Sequence, residues 1–184
     1  MLSVSLSLLI NKRLLKSGFD EEQIARKNLD FLHAEPPPGL GRYTAACIME
    51  SPTMAIPRRA TSDMARRLVL DCEHSNASDE LDQIFPVLEN GANGIRICHG
   101  FTTGKRLQRA LDLAEEVGEL GFEREPDRWI DYLAYTIPDR TPATKFYSLF
   151  SKLRAEVVCV VDDRGDFQGM ITRSQVIKYA KIAE

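Results

Sequence analysis

Two segments of this chain carry apolar residues at helical spacing, and near them lie short runs with almost no polar interruption. In KFYSLFSKL, Phe146, Leu149, Phe150 and Leu153 fall at i, i+3, i+4 and i+7; in DMARRLVL, Met64, Ala65, Leu68 and Val69 share one face. These stripes predict helices packed on a core. The run VVCVV at 157–161 is apolar at every position, which predicts a short strand covered on both faces.

The first forty residues follow a different pattern. Met1 to Ile10 is uncharged and then meets Asn11-Lys12-Arg13-Leu14-Leu15-Lys16. Ten helical residues reach only about 15 Å, half of a hydrocarbon core, and a signal peptide carries its positive charge ahead of the apolar stretch. The stretch reads either as the last turns of a membrane helix leaving on the cytoplasmic side or as an ordinary first helix, and its alternation also permits a strand. DEEQIARKNLDFL then has helical spacing, with Asp20 placed as an N-cap. Glu35-Pro36-Pro37-Pro38-Gly39 interrupts regular structure as a linker.

Beyond the linker the pattern repeats. The first copy runs Ile56-Pro57, the helical SDMARRLVLD, Phe85-Pro86-Val87-Leu88, a Gly/Asn turn and Gly100-Phe101-Thr102-Thr103. The second runs Ile137-Pro138, ATKFYSLFSKL, Val157 to Val161, the DDRG turn and Gly169-Met170-Ile171-Thr172. Pro57 lies 43 positions before Gly100 and Pro138 lies 31 before Gly169, so the first copy is 12 longer. The surplus falls in CEHSNASDELDQ and ENGANGIRICHG, where surface loops absorb insertions. Both copies predict strand, helix, strand, turn, strand, helix. The fold class is α+β, built from two pseudo-symmetric β-α-β-β-α motifs packed through their sheets. The expected organisation is a lead-in at 1–40, a first motif at 41–114, an acidic linker at 115–132 and a second motif at 133–184.

Composition narrows the chemistry. With 43% hydrophobic and 28% charged residues the chain is globular. A net charge of -3 with interspersed signs gives no field that points to nucleic acid. Cys47, Cys72, Cys98 and Cys159 form no Cys-x-x-Cys pair and suggest a reducing compartment. His33, His74 and His99 show no ligand spacing, so no metal is expected. No nucleophile elbow, Walker loop or dinucleotide fingerprint is present, and the carboxylates of LDLAEEVGELGFEREPD read as an exposed linker helix. No catalytic residue is assigned, and the chain is not expected to be an enzyme.

The two copies of Ile-Pro, helix, apolar strand, Gly/Asp turn and Gly-h-h-Thr resemble a tandem pair of CBS domains, or Bateman module, over about Cys47 to Tyr179. SLLINKRLLKSGFDEEQIARKNLDFLH, the proline-rich linker and CIMESPTMAIP resemble the junction in CLC chloride channels and chloride/proton exchangers, where the last membrane helix passes into a cytoplasmic CBS pair. The resemblance implies a regulatory domain on the cytoplasmic side of a membrane, packed under the transmembrane part of its own chain and paired with a twin as a homodimer.

It also implies a ligand site. CBS pairs that bind ATP, ADP or AMP place the nucleotide between the halves, with the Gly-h-h-Thr hydroxyl facing phosphate or ribose and an acid three residues later accepting from the ribose. Thr172 and Thr103 match the hydroxyl, whereas Gln175 and Arg106 stand at the acid positions. CLC domains that resemble nucleotide binders stack adenine on an aromatic three residues before Phe-Pro-Val, and that position is Asp82. Thr172, Phe85, Pro86 and Ile56 are therefore the candidate cleft residues. Losing the charge-assisted bond and the stacking contact costs on the order of 1 to 3 kcal/mol each, together about a hundredfold in affinity. Two readings follow: a mechanical regulatory domain of a CLC protein, and a soluble adenine-nucleotide sensor attached to another enzyme or transporter.

Overall fold

The structure is a computed structural model. It describes residues 31–52, 54–74, 83–117, 122, 125–133 and 135–183. The predicted stub at Met1 to Ile10, the Asp20 cap and Asp82 lie outside the described residues.

A 3-10 turn at Pro38–Arg42 leads to a short helix α1 (Ala45–Ile48). The first repeat comprises β1 (Ile56–Pro57), α2 (Ser62–His74), β2 (Ile84–Asn90), β3 (Arg96–Thr103) and α3 (Gly104–Val117). After β4 (Asp131–Tyr132), the second comprises β5 (Thr136–Pro138), α4 (Ala143–Ser151), β6 (Val157–Val161), β7 (Phe167–Thr172) and α5 (Arg173–Ala183). The sheets have the orders β1-β2-β3-β4 and β5-β6-β7. In each, the Ile-Pro strand runs parallel to its neighbour and the hairpin is antiparallel.

Strand register makes the repeat exact at residue level. Ile56 pairs with Val87 and Val87 with Gly100; Ile137 pairs with Val160 and Val160 with Gly169. Both hairpins break register at the same place, between Val87 and Leu88 and between Val160 and Val161. In the first repeat the hairpin strands simply run further before turning, to Asn90 and Arg96.

The faces divide as an α+β unit requires. Val87, Leu107, Leu111, Ala65 and Val69 form the helix-side core of the first repeat, and Val158, Val160, Phe146, Phe150 and Val176 that of the second. Phe101, Val157, Cys159, Phe167 and Met170 fill the space between the sheets, with Ile84 and Leu88 against them. The prediction that VVCVV is covered on both faces holds, since Val157 to Val160 are all buried.

Two expected core positions are exposed instead. Met64 is 51% exposed, because the buried stripe of α2 is centred on Ala65 and Val69. Leu153 is 59% exposed because α4 stops at Ser151, and its buried set is Ala143, Phe146, Tyr147 and Phe150. The acidic stretch is likewise more than an exposed linker helix. Leu111 and Ala114 turn inward on α3, and Phe122 stacks on Trp129 at 5.3 Å, both rings buried in the first core. Its acids, such as Asp112 and Glu115, occupy the outward face.

The segment leading into each repeat is built into the other one. Leu40, Ala45 and Ile48 belong to the second core, and the Glu50 backbone exchanges N–H to C=O bonds with Met170, both 3.0 Å. Trp129 and Ile130 belong to the first core, and β4 pairs with β3. This crossing explains the glycine of each Gly-h-h-Thr motif. A Cβ at Gly169 would stand 2.6 Å from the Glu50 carbonyl oxygen, and one at Gly100 would collide with that of Asp131.

Candidate functional site

The candidate site lies where the N-terminus of α5, the end of β7, the Glu50 segment and the start of β2 converge. They enclose a cleft of about 540 Å³ lined by Glu50, Ser51, Ile84, Met170, Thr172, Ser174 and Gln175 among others. The Glu50 segment is held by its backbone bonds to Met170 and by the Ser51 hydroxyl, which donates to the Gln168 carbonyl at 2.8 Å.

Thr172 and Gln175 form a reciprocal cap on α5. The Gln175 backbone N–H donates to Thr172 Oγ1 at 3.4 Å, and the Thr172 N–H donates to Gln175 Oε1 at 2.6 Å. This is a capping box: the N-cap hydroxyl and the amide three residues on satisfy each other's backbone donors. Gln175 is accordingly only 8% exposed, and its carbonyl oxygen is committed to the helix. Thr172 Oγ1 also lies 2.9 Å from Ser174 Oγ, so the rim of the cleft is a small hydroxyl cluster.

The quasi-equivalent positions differ. The Arg106 N–H donates to Thr103 Oγ1 at 3.3 Å, which is half of the box. The Arg106 side chain leaves the helix and meets Asp131 Oδ2 at 2.7 Å, tying α3 to β4.

The structure brings Thr172 and Gln175 into one cleft and places the other candidates elsewhere. Phe85 is fully buried on the helix side of β2, opposite Thr102. Pro86 is buried opposite Phe101. Ile56 is buried in the first core, beside a separate recess formed with Arg58, Arg59 and Glu89. What β2 offers Thr172 is Ile84, reached through Gln83. Period-two alternation would single out Ile84 as facing the second repeat, because Phe85 and Val87 point to the helices. Glu50 and Ser51 had no comparable local signal, since they join the site through pairing with distant strand β7.

Chemically the cleft is polar but not cationic. Among its described lining residues, Glu50 is an acid and no lysine or arginine is present. The positive end of α5 faces it, but the capping box already occupies donors there. The arrangement suits groups that exchange hydrogen bonds with hydroxyls and amides better than a polyphosphate, whose charge Glu50 opposes.

Neither a protein-family model nor a curated protein matches the sequence. Solved structures do match by shape. The CBS domain of the bacterial CNNM/CorC family Mg2+ transporter aligns with 99% of this chain and 95% of its own, at TM-score 0.52 and 19% identity. The chain has the fold of a CBS-domain pair. A hemolysin-like CBS protein of Oenococcus oeni PSU aligns over 77% of this chain and 92% of its own, at TM-score 0.52 and 16% identity. CBSX2, solved in complex with AMP, covers 76% of this chain and 97% of its own, at TM-score 0.51 and 17% identity. In this CBS pair no helix among the described residues is long and apolar enough to cross a membrane.

Proposed function

We propose that this CBS pair is a non-catalytic regulatory domain of a CLC-type chloride channel or chloride/proton exchanger, on the cytoplasmic face and paired with a twin. The observation that carries the proposal is how the upstream segment is fastened. Leu32 and Leu40 are buried in the second core, the Tyr147 hydroxyl donates to the His33 carbonyl at 2.9 Å, and the 3-10 turn at Pro38–Arg42 packs beside α4 and α5. A displacement upstream of residue 31 is thereby transmitted to the second repeat and, through the crossed lead-ins, to the first. Such coupling biases gating when the contacts differ in free energy between transport states. The resemblance of SLLINKRLLKSGFDEEQIARKNLDFLH to the CLC junction supplies the identity of the upstream element. Pairing with a twin would use the outer face of α2 and α3, where Met64 and Leu113 are about half exposed.

The cleft supports nucleotide sensing as a second reading, because it joins the two repeats at Thr172 and because related folds have been solved with AMP bound. The committed Gln175 oxygen and the Glu50 carboxylate weigh against a tight polyphosphate complex. Fractionation of the complete natural protein and thermal unfolding with nucleotide separate the readings. The CLC reading expects an integral membrane protein and a negligible Tm shift with millimolar ATP, ADP or AMP. A protein that stays in the soluble fraction overturns it. A sensor saturated at a hundredfold excess over Kd would gain about 2.7 kcal/mol.

A further inference from the structure

The interface between the two sheets contains a cysteine from each repeat. Cys98 stands on β3 across from Leu88, and Cys159 stands on β6 across from Met170. Both belong to the apolar cluster between the sheets, Cys159 as a fully buried member and Cys98, half-buried, packed at its edge. Both side chains enter this one cluster, where Cys98 Sγ donates to the Gly100 carbonyl at 3.3 Å and Cys159 Sγ lies 4.0 Å from the Val160 carbonyl.

We propose that Cys98 and Cys159 are a redox-responsive pair that closes to a disulfide under hydroperoxide and locks the two repeats together. The half-buried Cys98 thiolate attacks the O–O bond of the hydroperoxide, its sulfur takes one oxygen, and hydroxide leaves and is protonated to water. The Cys159 thiol then attacks the sulfenic sulfur, loses its proton and releases a second water. Two thiols and one hydrogen peroxide thus give one disulfide and two waters.

The division of roles follows from the surroundings. Cys98 is half-buried at the edge of the cluster and open to a small oxidant, whereas Cys159 is fully buried. The interaction between the two thiols lowers the Cys98 pKa, while it and burial raise that of Cys159. Cys98 is therefore the nucleophile and Cys159 the resolving thiol. The neighbouring contacts already keep this end of the interface in register. Arg96 donates to the Asp166 carboxylate at 3.0 Å and to the Phe167 carbonyl at 2.6 Å, two residues along β3 from Cys98. Cys159 pairs across β6 and β7 with Met170, which lines the cleft, so the bridge would stiffen the wall of the site.

The test is treatment of the full chain with a small excess of hydrogen peroxide, followed by mapping of the non-reduced digest. The expected result is a linked peptide pair containing Cys98 and Cys159. Labelling of both thiols after denaturation should fall about tenfold, with recovery in dithiothreitol. The bridge should also raise the Tm by about 5 °C or more. Cys98→Ser and Cys159→Ala should each abolish the shift, while Cys47→Ser should leave it. Cys98 trapped as sulfinic acid without a linked peptide, or unchanged labelling of both residues, would overturn the proposal, and neither result depends on a variant folding.

Discussion

The second repeat closes its final helix with two reciprocal hydrogen bonds, and the first repeat closes the matching helix with one. At the same fold position, Gln175 turns back to the Thr172 N–H, whereas Arg106 reaches outward to Asp131. A short neutral amide spends its oxygen locally. A long cation spans to the neighbouring lead-in strand instead. One position thus either finishes a helix or ties two segments together, and in neither repeat does it leave a carboxylate for a ribose.

The comparison breaks most visibly in the cores. Phe150→Ala in the second repeat and Trp129→Ala in the first should each cost about 3 to 5 kcal/mol in chemical denaturation, since both side chains are fully buried. Because each lead-in is built into the opposite core, both variants should shift one common transition. Two separated transitions would mean that the repeats unfold independently.

Next come the two glycines. Gly169→Ala and Gly100→Ala should each lose about 1 to 3 kcal/mol, through displacement of the Glu50 and Asp131 segments. Gly169→Ala should also disturb the Thr172 cleft, seen as shifted Ser51 and Met170 resonances, whereas Gly100→Ala should leave those resonances in place.

The caps give a smaller contrast. Gln175→Ala should cost about 1 kcal/mol, and Arg106→Ala no more than about 0.5 kcal/mol because its ion pair is solvent-exposed. Equal losses would remove the distinction between the two sites. Gln175→Glu should keep the box, because a carboxylate oxygen accepts the same N–H.

The smallest effect is acid dependence at the other end of the interface. Bonds from Arg96 hold the Asp166 carboxyl below its usual range. A lowered folded pKa means that this contribution is complete above the unfolded carboxylate pKa, near 4, and fades as pH falls through the folded value. Arg96→Ala should flatten the stability profile in that acid window, with its small loss of stability complete near pH 7 and vanishing below the folded pKa.

The repeat was legible because its marks are local. Apolar runs, the Ile-Pro dipeptides and the Gly-h-h-Thr motifs sit on fixed strand positions, and register places Thr103 and Thr172 at matching ends. Thr172-x-x-Gln175 was equally readable as a helix-start signature, and it explains Gln175 better than a ligand role does. The crossed lead-ins were not legible, since no local pattern tells Ala45 or Trp129 which sheet it will cover. Phe85 and Pro86 were hard to place for a related reason: on a strand covered on both sides burial no longer separates the two faces, so strand alternation sorts the side chains into two sets without telling which set faces the cleft. Leu153 shows that a stripe fixes a helix better than it fixes where the helix ends, and Met64 that the buried face is narrower than the stripe.

The proposed function rests on the seat of the upstream segment against the second repeat, and chloride flux tests it most directly. The complete protein, reconstituted in liposomes, should carry chloride, and Leu40→Asp should change the rate or its voltage dependence while the protein still inserts, because Leu40 is fully buried in that seat. Absence of chloride flux in the natural protein, or a Leu40→Asp variant with unaltered flux, would contradict the account.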